Sequence, residues 1–109
     1  MPFVVSQWDK YRERRKQISP MTMLPGEYFR RQVYATFFND PPARMLLGEW
    51  GTDNCMWSND FPHQNSTWPK SREVIKRDLG HLPDASRATL LHENVTRLYD
   101  LPVLMPVVA

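Results

Sequence analysis

The stretch from Asn54 to His63 constrains the fold of this chain more than any other. Three apolar residues, Cys55 to Trp57, are followed at once by polar turn residues and by Pro62. A short apolar run closed by turn residues is typical of a strand buried on both faces, as in a parallel sheet. Because proline has no amide donor, the strand ends before Pro62. Asp60 is therefore predicted at the carboxyl end of a buried strand, where α/β proteins collect ligands and catalytic groups.

A second strand and a helix precede this stretch. Residues Gln32–Phe38 are rich in β-branched and aromatic side chains, which predicts a strand. Asp40 suits a helix N-cap, Pro41 suits the first helical position, and Gly51 suits the stop. A strand, a helix and a second strand that follow one another this closely predict a βαβ unit, with parallel pairing and a right-handed crossover.

The remaining segments add helices but no further strand. Helices are predicted over Gln7–Gln17, from about Pro69 or Ser71 to Leu79, and from Pro83-Asp84 to about Tyr99. The prolines of Ile18–Gly26 predict an irregular connection. Two apolar strands cannot bury each other, and a closed (β/α)8 barrel takes eight strands and roughly 250 residues. The pattern fits the end of a larger α/β domain better than a complete small fold.

Composition excludes several classes of protein. The 109 residues amount to one domain, and a net charge of +2 is too small to indicate nucleic acid or an anionic membrane. The single cysteine excludes an internal disulfide and favours a reducing compartment. No apolar run approaches the roughly 20 residues of a membrane helix. We therefore expect a cytoplasmic chain with neither nucleic-acid nor membrane partners.

Four segments taken together resemble the amidohydrolase-related family of metal-dependent TIM-barrel hydrolases, and within it the branch containing aminocarboxymuconate-semialdehyde decarboxylase. The resemblance runs from about Trp8 to Leu101 and corresponds to the C-terminal third of those barrels. It implies that residues 1–109 are a C-terminal fragment of a single barrel domain, an incomplete barrel. The segments are E-Y-F-R-R-Q-V-Y-A-T-F (Glu27–Phe37), D-N-C-M-W-S-N-D-F-P-H (Asp53–His63), T-W-P-K-S (Thr67–Ser71) and L-H-E-N-V-T-R-L-Y (Leu91–Tyr99).

Two residues are candidates for the site, Asp60 from the resemblance and His63 from its position just beyond Pro62. Asp60 matches the aspartate that ends the last barrel strand, at or beside a catalytic divalent metal that is usually zinc. His63 is the second catalytic candidate, as a group that supports the site or faces the substrate. From the residues alone, Asp60 could instead make an Asx turn before Pro62, and His63 could make only local hydrogen bonds. Ser58 and Asn59 depart from the family, which often has the smaller Gly and Ser there.

The resemblance implies metal-dependent hydrolysis of a small organic substrate, with non-oxidative decarboxylation as the alternative. The family's His-x-His pair and its middle-strand histidines have no counterpart in this sequence. Because catalytic zinc typically has three protein ligands, we expect the chain alone to be inactive. A different class of hypothesis is a non-catalytic chain, either a truncated remnant or a piece that docks onto a partner supplying the missing barrel half. A homo-oligomer also stays open.

Overall fold

The computed structural model of the chain describes residues 2–17 and 20–102. The chain divides into two compact units, Met1–Tyr34 and Ala35–Ala109. In chain order the elements are α1 (Pro2–Arg14), α2 (Pro25–Gln32), β1 (Ala35–Phe37), α3 (Pro41–Trp50), β2 (Cys55–Trp57), α4 (Ser71–Leu79), α5 (Asp84–Ala88), a π-helical turn (Thr89–Glu93) and α6 (Asn94–Tyr99). No helix within the described ranges is long and apolar enough to cross a membrane.

The first unit is a pair of helices. Val5 of α1 is buried, and the Asp9 carboxylate accepts the Gly26 amide N–H at 2.6 Å. A Cβ on Gly26 would lie 2.5 Å from an Asp9 oxygen, so a larger residue would displace this carboxylate. The Glu27 carboxylate also accepts the Leu24 amide N–H, at 2.7 Å. These two carboxylates satisfy amides at the start of α2, where helices leave donors without partners.

Helix α2 corrects the prediction for this region. The predicted irregular connection ended at Gly26 and the predicted strand began at Gln32, whereas α2 runs from Pro25 to Gln32. The side chain that helps to cap α2, Asp9, lies 17 residues earlier in the chain, so local sequence patterns could not reveal it. The observed strand is confined to Ala35–Phe37. Ile18, the first residue of the predicted connection, lies outside the described residues.

The second unit contains the predicted strand–helix–strand unit. Strands β1 and β2 pair in parallel, with Ala35 opposite Cys55 and Phe37 opposite Trp57. The predicted limits of α3 are confirmed: the Asp40 carboxylate accepts the Ala43 amide N–H at 3.3 Å, and Gly51 ends the helix with a φ of 96°. The handedness of the crossover stays a prediction.

The core of the second unit lies between the sheet and the helices of its own unit. Four leucines form it, and aromatic and small apolar side chains from both strands pack against them. Met56 is buried, whereas its neighbours Cys55 and Trp57 are half-buried, so the predicted burial of β2 on both faces is only partly realised. The four leucines are Leu47, Leu79, Leu82 and Leu90.

The predicted last helix is present but contains one π-helical turn. Such a turn inserts an extra residue and rotates the helix face that follows it. As a result the most deeply buried residues of this segment are Leu90 and Asn94. Regular helical spacing would instead place Ala88, Leu91, Val95 and Leu98 on one apolar face. Leu98 is exposed. The π-helical turn therefore turns a polar amide, that of Asn94, towards strand β2.

A charged network joins α4 to the carboxyl end of β1. The Arg77 guanidinium donates to both Asp78 carboxylate oxygens, at 2.6 and 2.8 Å, and also to the Asn39 side-chain oxygen at 2.8 Å. The hydrogen bond from Arg77 lowers the pKa of the nearly buried Asp78 carboxyl group. Asn39 follows β1 in a left-handed backbone conformation, with a φ of 45°.

Candidate functional site

The candidate site lies where β2 ends and a long loop begins. After Trp57 the chain leaves the sheet, and it re-enters regular structure at Ser71, the first residue of α4. The peptide bonds before Pro62 and Pro69 are both cis. Asp60 lies three residues beyond β2, as the sequence predicts. The loop therefore carries Asp60 and His63 at the carboxyl end of the parallel pair.

Asp60 adopts an unusual backbone conformation and exposes its carboxylate. Its φ is 59°, in the left-handed region that few residues other than glycine adopt. The side chain is 41% exposed, and its Oδ2 atom lies 3.3 Å from Nδ1 of His63. The Asp60 carbonyl oxygen accepts the His63 amide N–H at 2.8 Å, which closes a tight turn. The turn thus brings the two predicted site residues into contact.

The Asx turn expected as an alternative role for Asp60 is made by its neighbour. The Asn59 side-chain oxygen accepts the Phe61 amide N–H at 3.1 Å, and the Ser58 hydroxyl accepts the Asp60 amide N–H at 3.3 Å. The two residues that depart from the family pattern therefore have local hydrogen-bonding roles. The predicted catalytic and metal-binding roles of Asp60 stay predictions.

The Nδ1 atom of His63 faces two groups that require different protonation states. The Asp60 carboxylate needs a proton on Nδ1, whereas the Asn65 amide N–H, 3.4 Å away, needs the Nδ1 lone pair. The His63 side chain is 65% exposed, so water reaches the ring in either state. His63 can therefore take or give a proton next to a carboxylate while keeping one local partner. Its predicted catalytic role stays a prediction.

An exposed pair of aromatic rings borders this turn. Phe61 and Trp68 pack edge to face, with ring centroids 5.8 Å apart, and each is more than 60% exposed. The Trp68 amide N–H donates to the Ser66 hydroxyl oxygen at 3.1 Å, which fixes the backbone that carries the indole ring. The rings give the loop an apolar face beside the polar Asp60–His63 pair.

The described residues offer few side-chain ligands for a divalent metal. Within residues 2–17 and 20–102, no three His, Cys, Asp or Glu side chains are close enough together to hold a metal ion. Asp60 and His63 contribute two donors at most, and catalytic zinc typically takes three from the protein. The described residues therefore do not form a complete catalytic metal site.

Cys55 is not a candidate nucleophile. Burial, and to a smaller extent the negative charge of Asp53, raise the pKa of its thiol. A raised pKa keeps the sulfur protonated at neutral pH, whereas the thiolate is the reactive form. Cys55 is instead a half-buried side chain that packs against the leucine core of the second unit.

The opposite end of β2 is held by Asn94. This residue is fully buried, and its amide donates to the carbonyl oxygens of Thr52 at 2.6 Å and Cys55 at 2.8 Å. Its own oxygen accepts a hydrogen bond from Arg97 at 2.6 Å. Asn94 therefore holds the last helix against the start of β2. Glu93 instead accepts the hydroxyl of Thr89 at 2.7 Å.

Comparison with protein families gives one finding. Residues 6–101 match the model of the family described as Amidohydrolase. Because this match covers most of the chain, the chain belongs to the Amidohydrolase family. At the family level this indicates a hydrolase- or decarboxylase-type function, and members usually bind a divalent metal. No curated protein sequence matches the chain.

Proposed function

We propose that this chain contributes the carboxylate of Asp60 to the active site of a metal-dependent amidohydrolase acting on a small organic substrate. One observation carries the proposal. Asp60 emerges from the carboxyl end of a parallel strand with an exposed carboxylate that contacts His63, in a chain of the Amidohydrolase family. In α/β enzymes this end of the sheet is where catalytic groups gather.

The proposed architecture is the last βα units of a (β/α)8 barrel, its C-terminal third. Two short strands form only a marginal sheet by themselves. In the observed register, the peptide N–H and C=O of Thr36 face away from β2, so β1 has room for a further strand. The corresponding outer carbonyl of Cys55 is already bonded to Asn94, so a neighbour of β2 would begin beyond that residue.

The remaining strands would come from polypeptide other than the described residues, in the same chain or in a partner. Those strands would also supply the missing metal ligands, with Asp60 as the ligand from this part and zinc as the expected metal. A divalent metal in such a site lowers the pKa of a bound water. Since the described residues do not complete that site, the isolated chain is expected to be inactive.

The contact between Asp60 and His63 suggests separate acid–base roles for the two side chains. The Asp60 carboxylate would orient the His63 imidazole through Nδ1, which leaves Nε2 as the ring nitrogen that exchanges a proton with the substrate. A carboxylate beside an imidazole holds the ring in one orientation. The same pair suits proton donation to carbon, which is the step that a carboxy-lyase requires. The decarboxylase branch therefore stays the alternative activity.

The native protein provides the test. We would isolate it with an antibody against this chain, measure its intact mass and zinc content, and repeat this with an Asp60→Asn variant. A mass well above that of 109 residues, or a stable partner, together with zinc that is reduced in the variant, would support the proposal. Trapping of carbon dioxide or of a hydrolysis product would then separate decarboxylase from hydrolase.

A native chain of 109 residues without zinc would contradict the proposal and favour the non-catalytic alternative. Size-exclusion chromatography divides that alternative into two. Exposed strand edges predict aggregation of a truncated remnant, whereas a docking chain should elute in a stable complex. A compact, cooperatively folded monomer would contradict both versions. Metal-dependent turnover by the 109-residue chain alone would contradict the prediction that it is inactive.

A further inference from the structure

We propose that Asn59 is a positioning residue that holds Asp60 and His63 in contact, together with Ser58. The inference deepens the proposed function, on which it depends for the task that Asp60 performs. The positioning itself depends only on the hydrogen bonds of the loop after β2. Asn59 touches no reacting group, so it acts through its neighbours.

The need for a positioning residue comes from the backbone of Asp60. A left-handed conformation is unfavourable for most residues with a Cβ atom, and it persists where the surroundings hold it. Asp60 has a φ of 59° and directly follows two residues whose side chains accept backbone amides. The Ser58 hydroxyl accepts the Asp60 amide, and the Asn59 side chain accepts the Phe61 amide. These bonds hold the chain on both sides of the Asp60 carbonyl.

The backbone of Asn59 holds the far end of the loop as well. Its carbonyl oxygen accepts the Ser66 hydroxyl at 2.8 Å and the Thr67 amide at 3.0 Å. Thr67 is buried, and its hydroxyl lies 3.0 Å from that of Ser71, the first residue of α4. Asn59 is therefore the point at which the start of the loop, its end and the following helix are joined.

The consequence for the site is geometric. Because the side chain and the carbonyl oxygen of Asn59 both accept hydrogen bonds, the turn from Asp60 to His63 can close with its 2.8 Å backbone hydrogen bond. That turn sets the 3.3 Å separation between the carboxylate and the imidazole. The pair is thus arranged by this chain's own residues, before a metal or substrate binds.

A matched set of variants of the 109-residue chain tests the proposal. Asn59→Ala removes the side-chain acceptor, whereas Asn59→Ser keeps one, because a serine hydroxyl can make the same turn. Asn65→Ala makes the same Asn-to-Ala change in the same loop, at a side chain that takes no part in these bonds. Amide hydrogen exchange, followed by NMR without metal, reports on the turn directly.

We expect Asn59→Ala to speed exchange at the Phe61 and His63 amides about tenfold, through loss of a hydrogen bond and local opening. Asn59→Ser and Asn65→Ala should stay within about threefold of the unchanged chain. Exchange at the core amides of Leu79 and Leu90 should not change. Unchanged exchange at Phe61 in Asn59→Ala would overturn the proposal, and so would an equal rise at the core amides, which would indicate general destabilisation.

A kinetic measurement on the active native protein adds a second test. A residue that positions Asp60 should lower kcat in Asn59→Ala with little change in KM, and Asn59→Ser should restore most of kcat. An equal loss of kcat in both variants would contradict a positioning role for the side chain. If the native protein proves to have no zinc and no activity, the proposed function fails, while the exchange result still decides whether Asn59 positions Asp60.

Discussion

The two ends of strand β2 use polar side chains in opposite ways. At the amino end, Asn94 is 0% exposed and its amide is hydrogen-bonded to two carbonyl oxygens. At the carboxyl end, Asp60 and His63 are 41% and 65% exposed. Buried polar groups stabilise a fold only when they are fully bonded, whereas exposed ones keep their capacity for a ligand. One three-residue strand thus separates a stabilising end from an end available for chemistry.

The largest expected effect is at the buried end. Asn94→Ala should lower the free energy of unfolding by about 3 kcal/mol, because it removes the hydrogen bonds from a fully buried amide to the carbonyls of Thr52 and Cys55 and creates a cavity. Urea denaturation measures this, with the loop variant Asn65→Ala as a control expected to change by less than about 0.5 kcal/mol. A loss below about 1 kcal/mol for Asn94→Ala would remove the contrast between the two ends.

The second effect concerns the charged network beside β1. Asp78→Asn should cost about 1 to 2 kcal/mol at neutral pH, because it removes charge-assisted hydrogen bonds from Arg77. Since folding lowers the pKa of Asp78, its contribution is complete above the unfolded value near pH 4 and is lost as pH falls through the lower, folded value.

The pH dependence provides the check on Asp78. Urea denaturation of both proteins from pH 7 down to pH 2 should show a difference that shrinks towards zero in acid. A difference that stays constant over this range would mean that the carboxylate charge does not stabilise the fold.

A smaller effect is expected where β1 ends and α3 begins. Asp40→Ala should cost about 1 kcal/mol, because the carboxylate accepts the Ala43 amide in the first turn of the helix. Asp40→Asn keeps a side-chain acceptor and should cost much less. Thermal unfolding of the two variants, followed by circular dichroism, compares them. Equal losses would indicate that charge, rather than capping, is what Asp40 contributes.

The smallest effect on stability is expected at Asp60. Asp60→Asn should change the free energy of unfolding by less than about 0.5 kcal/mol, because the side chain is exposed and Asn tolerates the left-handed conformation. Urea denaturation beside Asn94→Ala checks the contrast within one strand. A loss above about 1 kcal/mol would mean that Asp60 stabilises the fold rather than serving a ligand.

The parts of the fold that depend on local signals were predictable. Asp40, Pro41 and Gly51 defined α3 correctly, and the apolar run ending before Pro62 located β2. The parts that depend on distant contacts were not. Helix α2 is capped partly by Asp9, and the π-helical turn brings the amide of Asn94 to Cys55 of β2. Neither contact leaves a periodic signal in the sequence.

The candidate site, like the fold, was predictable only where it depends on local sequence signals. The place of Asp60 beyond a strand, and its closeness to His63, follow from short-range spacing. The roles of Ser58 and Asn59 were not predicted, since the sequence showed only that they are larger than the usual residues. Their effect depends on the path of the loop back to Thr67, whose amide meets the Asn59 carbonyl. A return path of this kind is set by packing, which pattern analysis does not describe.

The most direct test of the account is a zinc titration of the 109-residue chain by calorimetry, beside its Asp60→Asn variant. Four-ligand structural zinc sites are worth about 10 to 16 kcal/mol, so two donors should give roughly half of that, which is micromolar affinity or weaker. We expect such weak zinc binding by the chain and still weaker binding by the Asp60→Asn variant. Tight 1:1 binding at nanomolar zinc, abolished by Asp60→Asn, would contradict this expectation, because the chain would then hold a complete metal site of its own.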